Sequence, residues 1–167
     1  MPESPTIDTV SLRDAMSRYA TGVVVLTVGG EHVNAMTANA FTSLSLDPPQ
    51  VLACVARTAT MHRSITAAGT FGVSLLSADQ QDVARRFADS SRPRGADLFA
   101  AVPVRVGAAT GVPLLEGASA WLECELAHDH EGGTHSIFVG RVLAAGLGPV
   151  GVDAMVYAGG KFHRATA

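Results

Sequence analysis

The sequence predicts a mainly β fold, an antiparallel barrel of about six strands with a few peripheral helices. Short apolar runs typical of strands recur along the whole chain, whereas helical patterns occur only before Ser90. A doubly wound sheet needs a helix after nearly every strand, and the second half of the sequence shows strands alone. An antiparallel sheet that closes into a barrel therefore fits the pattern better.

Composition sets the class of protein. The 167 residues are 47% hydrophobic and 16% charged, which is typical of one folded globular domain. We expect a flexible N-terminus over residues 1–10 and a single domain over residues 11–165. The net charge of −3 comes without a basic block, which argues against a nucleic-acid partner. The apolar runs are far shorter than the roughly 20 residues of a membrane helix, so we expect no membrane partner.

The N-terminus and the cysteines predict the compartment. The opening residues MPESPTIDTV are polar and lack the pattern of an export signal. Cys54 and Cys124 both lie in apolar, strand-like contexts, and such thiols are more often reduced packing residues than a disulfide. We therefore expect a cytoplasmic protein.

The first half of the chain mixes helices and strands. Ser11–Asp14 resembles a capping box that opens a helix ending near Tyr19, and Ser77–Gln80 resembles a second one that opens a helix with Phe87 on its apolar face. Between them, Gly69 should end a helix over residues 60–68. The strands predicted here cover residues 22–28, 50–56 and 70–76.

The second half begins with a loop over residues 90–97, which is rich in Ser, Arg, Pro and Gly. Four strands should follow it. They are predicted over residues 102–106, 118–127, 135–145 and 155–158.

A hydroxyl-rich segment, NAMTANAFTSLSLDPP from Asn34, interrupts these apolar strands. A core strand would bury its hydroxyls at a cost unless each found a partner, and a surface loop would not carry so many large apolar residues. A bound molecule that is flat and edged with polar atoms would explain both features. The alternative is a strand edge whose hydroxyls bond only to their own backbone.

Two motifs resemble ligand sites without supporting one. Residues 146–151 match the G-x-G-x-x-G pattern, but Pro149 interrupts it and a strand follows where dinucleotide binding requires a helix. Residues 128–131 carry His, Asp, His and Glu, which suit zinc, but Gly132-Gly133 follows at once. We therefore predict a loop and a solvated hairpin tip, with no metal.

His135 differs from the other histidines because it lies at the mouth of a predicted strand. Its neighbour Ser136 should point to the opposite face of that strand, which argues against a nucleophile–base pair. The residues alone leave two readings of His135 open, a surface histidine and a contact to a ligand.

Taken in order, several motifs resemble the flavin reductase family, whose members adopt an FMN-binding split-barrel fold. The resemblance runs from Leu12 to about His163. Its motifs are RYATGV from Arg18, MTANAFTSLSLDPP from Met36, GVSLL from Gly72, GTHSI from Gly133 and VYAGGKFH from Val156.

The resemblance implies a set of flavin-binding residues. They are Thr37, Ala38, Asn39, Ala40, Phe41, Ser43, Cys54, Arg57, Thr58, Phe87, Lys161 and Phe162. It also implies that His135 lies near the nicotinamide as the catalytic residue. The family has an acid before this histidine where this chain has Thr134, and many relatives have tyrosine at Phe162. Hydroxyls and a cation suit a phosphorylated tail, and small residues suit a flat ring.

The function implied by this resemblance is reduction of FMN or FAD by NADH or NADPH. The reduced flavin would pass to a separate flavin-dependent monooxygenase, and the chain would form a homodimer. Two alternatives remain. One is a flavin- or haem-binding barrel without turnover, and the other is an FMN-holding oxidase like the pyridoxamine-phosphate oxidases.

Overall fold

A computed structural model describes residues 8–166, and the predicted flexible N-terminus lies mostly outside this range. The helices are Thr9–Ser17 (α1), Thr60–Ala68 (α2) and Gln81–Ala88 (α3). The strands are Thr21–Gly22 (β1), Val24–Val28 (β2), Asn34–Ala38 (β3), Phe41–Leu46 (β4), Pro49–Ala56 (β5), Thr70–Leu75 (β6), Val104–Val106 (β7), Pro113–Leu115 (β8), Ala120–Gly132 (β9), His135–Leu147 (β10), Ala154–Ala158 (β11) and Lys161–Ala165 (β12).

Antiparallel pairing organises the described strands. Seven of them form one sheet in the order β3-β2-β6-β9-β10-β5-β4. A second sheet has the order β1-β11-β12, and β7 pairs with β8. This confirms the mainly β, antiparallel fold class with peripheral helices.

The core lies on both faces of the large sheet, because successive side chains of a strand point to opposite sides. Strand β2 is buried at every position. Its residues Val24 and Leu26 join a cluster covered by α2, whereas Val25 joins a second cluster covered by α3. The two helices are thus placed on opposite faces of the sheet.

Helix α2 has the bounds that the sequence predicts. Gly69 ends it in the left-handed conformation, with φ of 68°, and donates its backbone N–H to the carbonyl of Ile65. The other two helix starts were wrong. Helix α1 begins at Thr9, before the predicted cap at Ser11. Helix α3 begins at Gln81, because Ser77–Gln80 forms a turn in which Gln80 Oε1 accepts the N–H of Ser77 at 3.1 Å.

The β9–β10 hairpin extends further than predicted. Strand β9 continues through residues 128–132, so the expected hairpin tip is paired strand, although its side chains are exposed as predicted. His128 and His130 therefore share a face, with ring centroids 5.6 Å apart. Within residues 8–166 no three His, Cys, Asp or Glu side chains are grouped as a metal site.

Strands β8 and β12 were missed, and no strand was predicted for the hydroxyl-rich segment, which forms β3 and β4. Strand β8 has only three residues and starts at Pro113, and β12 is mostly polar and follows the Gly159-Gly160 turn. Residues 146–151 leave strand β10 and form a turn before β11, and no helix follows them.

Two sets of polar contacts join the peripheral loops and strands to the rest of the fold. The buried carboxylate of Glu123 accepts hydrogen bonds from the backbone N–H groups of Ala109 and Thr110, at 3.0 and 2.7 Å. On the last strand, Arg164 bridges two carboxylates, Asp79 before helix α3 and Asp153 before strand β11. Among the described helices none is long and apolar enough to cross a membrane.

Candidate functional site

Two open cavities of similar size lie at either end of the hydroxyl-rich segment. The α2–α3 cavity has a volume of about 670 Å³ and the α1 cavity one of about 630 Å³. Thr37 lines the first and Asn39 the second, so β3 and its turn connect them. Both volumes are in the range of roughly 300–1,000 Å³ that small-molecule sites occupy.

Hydroxyl groups form one side of the α2–α3 cavity. The Asn34 amide donates hydrogen bonds to Thr60 Oγ1 at 3.2 Å and to Ser64 Oγ at 3.1 Å. A hydroxyl that accepts a hydrogen bond keeps its own proton to donate. Together with Thr58, which also lines the cavity, these groups can donate to an anion.

Arginines form another side of the same cavity. Arg92 and Arg94 line it, and they follow helix α3 on the loop that the sequence predicts. Burial, and then the neighbouring Arg94, lower the pKa of the Arg92 guanidinium. The cavity therefore combines hydroxyl donors with positive charge, which is what phosphate groups require.

The α1 cavity is more aromatic and apolar. Tyr19, Phe41 and Tyr157 line it, with Leu52 and Cys54 from β5. Such walls suit a flat ring system, because aromatic faces provide a large apolar contact area.

One polar atom in the wall of the α1 cavity has no partner. The Thr21 hydroxyl is buried and makes no hydrogen bond with the described residues. A buried hydroxyl without a partner costs free energy, and a ligand with a polar edge would supply one. The two cavities together fit a nucleotide that carries a flat, polar-edged ring, such as FMN or FAD.

The structure brings seven of the predicted flavin-binding residues to these cavities. Thr37, Thr58 and Phe87 line the α2–α3 cavity, and Asn39, Ala40, Phe41 and Cys54 line the α1 cavity. The Thr37 hydroxyl already donates to the backbone carbonyl of Ala84 at 2.7 Å, so it holds β3 against α3. Phe87 is fully buried and packs against Phe99, with ring centroids 5.7 Å apart.

Five other predicted residues lie outside the lining of both cavities. Ala38 packs on the core, and Ser43 is exposed on β4. Arg57 is exposed and forms an ion pair of 2.9 Å with Glu131. Lys161 is exposed at the start of β12, and Phe162 lies under the Arg85 guanidinium, 5.5 Å from its ring centroid. Their flavin contacts stay predictions.

His135 also lies outside both cavities, at the exposed start of β10. Its Nδ1 is 3.0 Å from the hydroxyl of Thr134, the residue that replaces the family's acid. It pairs with Ala56, next to Arg57 at the end of β5. Ser136 does face the opposite way, into the core, where its hydroxyl is 2.8 Å from Nε2 of His62.

Sequence reasoning missed several lining residues. They are Tyr19, Thr21, Asn34, Thr60, Ser64, Arg92, Arg94 and Tyr157. Thr60 and Ser64 are four residues apart on a correctly predicted helix, which places them on one face and could have revealed them. The arginines gave no such signal, because the loop after α3 meets β3 only through the fold.

The fold and the cavities define an antiparallel β protein whose two cavities fit a ring-bearing nucleotide. A family model described as "Flavin reductase like domain" matches residues 16–166, and the chain belongs to that family. The NADH-dependent FAD reductase of Streptomyces globisporus is 48% identical over 157 residues, which are 94% of this chain and 86% of that protein.

Solved structures show the same likeness. BorF, the flavin reductase component of a bacterial two-component tryptophan halogenase, superposes with a TM-score of 0.91 at 50% identity, over 96% of this chain and 99% of that one. The NADH:FAD oxidoreductase SgcE6 of Streptomyces globisporus C-1027, in complex with NAD and FAD fragments, gives 0.88 at 43% identity, over 98% of each chain.

Proposed function

We propose that this chain is an NADH-dependent flavin reductase that reduces FMN or FAD and supplies the product to a separate monooxygenase. The observation that carries this proposal is the path of residues 37–41 from a cavity lined by hydroxyls and arginines to an aromatic one. Relatives named as NADH-dependent reductases and as the reductase component of a two-component halogenase support it.

The chain's residues would divide the flavin between the two cavities. Tyr19 and Tyr157 would contact the ring, and the Thr21 hydroxyl and the Asn39 amide would hydrogen-bond its edge. Thr58 and the neighbouring hydroxyls would hold a phosphate of the tail. These contacts exist before and during the reaction, so they should determine flavin affinity more than turnover.

Bound flavin would supply the ring atom that accepts a hydride from the reduced nicotinamide. The protein's part is to hold the two rings in contact and to exclude water. His135, exposed at the hairpin beside Thr134, is the residue we propose to orient the nicotinamide.

A homodimer completes this proposal. Leu12, Met16 and Tyr19 form a stripe on one side of the α1 segment, and they are 46%, 54% and 65% exposed. A contiguous exposed apolar stripe of this kind is typical of a surface that packs against a partner. Met16 and Tyr19 also line the α1 cavity, so a second copy docked on the stripe would lie beside the proposed flavin site.

The setting follows from the chemistry. Cys54 and Cys124 are free thiols, which suits a reducing compartment, and we propose the cytoplasm. We also propose that residues 11–165 act as a single domain.

The decisive experiment measures NADH consumption by the purified protein with FMN, FAD or riboflavin added in turn, and repeats it with NADPH. Turnover of free flavin is the expected result. Binding of flavin without NADH oxidation would contradict the proposal and favour a carrier barrel. Turnover that needs a second oxidisable substrate would favour an oxidase.

A further inference from the structure

Arg92 and Arg94 are cavity arginines that form no ion pair within the described chain. Four other arginines make ion pairs with carboxylates, namely Arg57, Arg85, Arg141 and Arg164. Neither cavity arginine has a carboxylate oxygen within ion-pair distance anywhere in residues 8–166. Two neighbouring guanidiniums therefore face the cavity without an ion pair, and the nearest opposing charge acting on Arg92 is the more distant carboxylate of Asp89.

The loop holds Arg92 in place before any ligand arrives. Its guanidinium Nη1 donates to the backbone carbonyl of Asp89 at 2.9 Å. Asp89 Oδ1 in turn accepts hydrogen bonds of 2.8 Å from both the N–H and the hydroxyl of Ser91. Pro93 fixes the backbone between the two arginines. A side chain positioned in this way loses less conformational entropy when it binds.

The cavity presents its charges and hydroxyls together. Thr58, Thr60 and Ser64 line the same space as the arginine pair, and Arg92 is half-buried. Desolvation lowers the pKa of that guanidinium, so a bound anion would offset a cost already present. Glu31 also lines the cavity, but it makes no ion pair with either arginine.

We propose that Arg92 and Arg94 bind the pyrophosphate of FAD and give this chain a preference for FAD over FMN. A guanidinium is a fork of donors that matches phosphate oxygens, and two adjacent forks match two linked phosphate groups. The hydroxyls of Thr58 and its neighbours serve the phosphate that both flavins share. This inference rests on the proposed function, since it names the flavin that the same site selects.

The test measures dissociation constants for FAD, FMN and riboflavin by flavin fluorescence, in wild type and in Arg92→Gln, Arg94→Gln and the double variant. The double variant should lose about tenfold or more in FAD affinity, the scale of lost charge-assisted hydrogen bonds, with riboflavin unchanged. FMN affinity should fall by less than about threefold, so that the preference for FAD collapses. FAD binding in wild type should also weaken with salt more steeply than in the double variant.

Arg63→Gln is the matched control, because Arg63 is exposed on α2 and lies outside the cavity lining. It removes one positive charge and should leave all three constants unchanged. Arg94→Gln guards against a folding defect, because no hydrogen bond in the described chain depends on the Arg94 side chain. Riboflavin binding checks the fold of every variant.

Three results would overturn the assignment. One is equal loss of FAD and FMN affinity, which would place the arginines on the phosphate common to both. Another is an unchanged FAD affinity, and the third is a raised KM for NADH with flavin binding intact. Failure of the proposed function is a separate outcome. It would appear as wild-type protein that prefers FAD in the titration but oxidises no NADH.

Discussion

The hydroxyl of Thr37 donates a hydrogen bond of 2.7 Å to the backbone carbonyl of Ala84, and this contact joins strand β3 to helix α3. It fixes the position of the segment that passes between the two cavities. Thr37 thus supports the site through its neighbours, although a direct flavin contact is what its residue type suggests.

Thr37→Val should destabilise the protein by about 1 kcal/mol, because it removes the hydrogen bond by which β3 is held to the Ala84 carbonyl of α3. Denaturant unfolding measures this loss. The control is Thr42→Val, since Thr42 is exposed and its hydroxyl bonds only to the carbonyl of Ser43 at 3.3 Å. Equal stability of the two variants would show that the bond to Ala84 carries no weight.

Thr58→Ala should weaken flavin binding more than Ser43→Ala does. Thr58 lines the α2–α3 cavity, and its hydroxyl is proposed to contact a phosphate, a bond worth roughly 1.5–3 kcal/mol. Ser43 is exposed on β4, outside both cavities. Titration with FMN compares them. A larger loss for Ser43→Ala would move the phosphate site to β4.

His135→Ala should lower kcat/KM for NADH by about 10- to 100-fold, the scale of one lost polar contact in the transition state. Flavin affinity should stay near the wild-type value. Kinetics that vary NADH and flavin separately test this, with His128→Ala on the same hairpin as control. Wild-type NADH kinetics would assign His135 to the surface.

Cys124 predicts a loss of stability at high pH. Burial, and then the charge of Glu123, raise the pKa of its thiol to about 12. The folded pKa is above the unfolded one, so the neutral thiol's contribution is complete below about pH 8.5 and is lost as pH rises towards the folded pKa. Unfolding of wild type and Cys124→Ala across pH 8–11 measures it. Parallel curves would contradict the prediction.

Met16→Glu should produce a monomer, because an unpaired carboxylate in an apolar interface costs free energy. Sedimentation at micromolar concentration should show wild type at twice the chain mass. Asp14→Lys changes the charge on the opposite side of the helix and should remain a dimer. A dimeric Met16→Glu protein would place the interface elsewhere.

Local patterns predicted some elements and failed for others. Helix α2 was predicted because its apolar spacing and its glycine end agree. Strand β12 was missed because its residues Lys161–Ala165 are mostly polar and exposed, and pairing with β11 decides its conformation. The predicted start of α3 failed because Ser77–Gln80 forms a turn, and that of α1 failed because Ser11 lies inside the helix, which begins at Thr9.

The site divides in a similar way. The segment from Thr37 to Phe41 is contiguous, so its unusual composition is visible in the sequence. Arg92 and Arg94 line the same cavity but lie far along the chain from Thr37, on the loop after α3. The contact between β3 and α3 brings the two segments together. Only the fold places these arginines beside the hydroxyls of α2. Their proximity therefore could not be predicted from the sequence.

Arg164, on the last strand, neutralises two carboxylates that would otherwise repel each other. Its guanidinium lies between the carboxylates of Asp79 and Asp153, and hydrogen bonds to both raise its pKa. Trimming the chain before this arginine would leave two like charges facing each other at the turn that leads into α3. Shortened versions of this protein should therefore keep residue 164, and fusion tags are better attached beyond it.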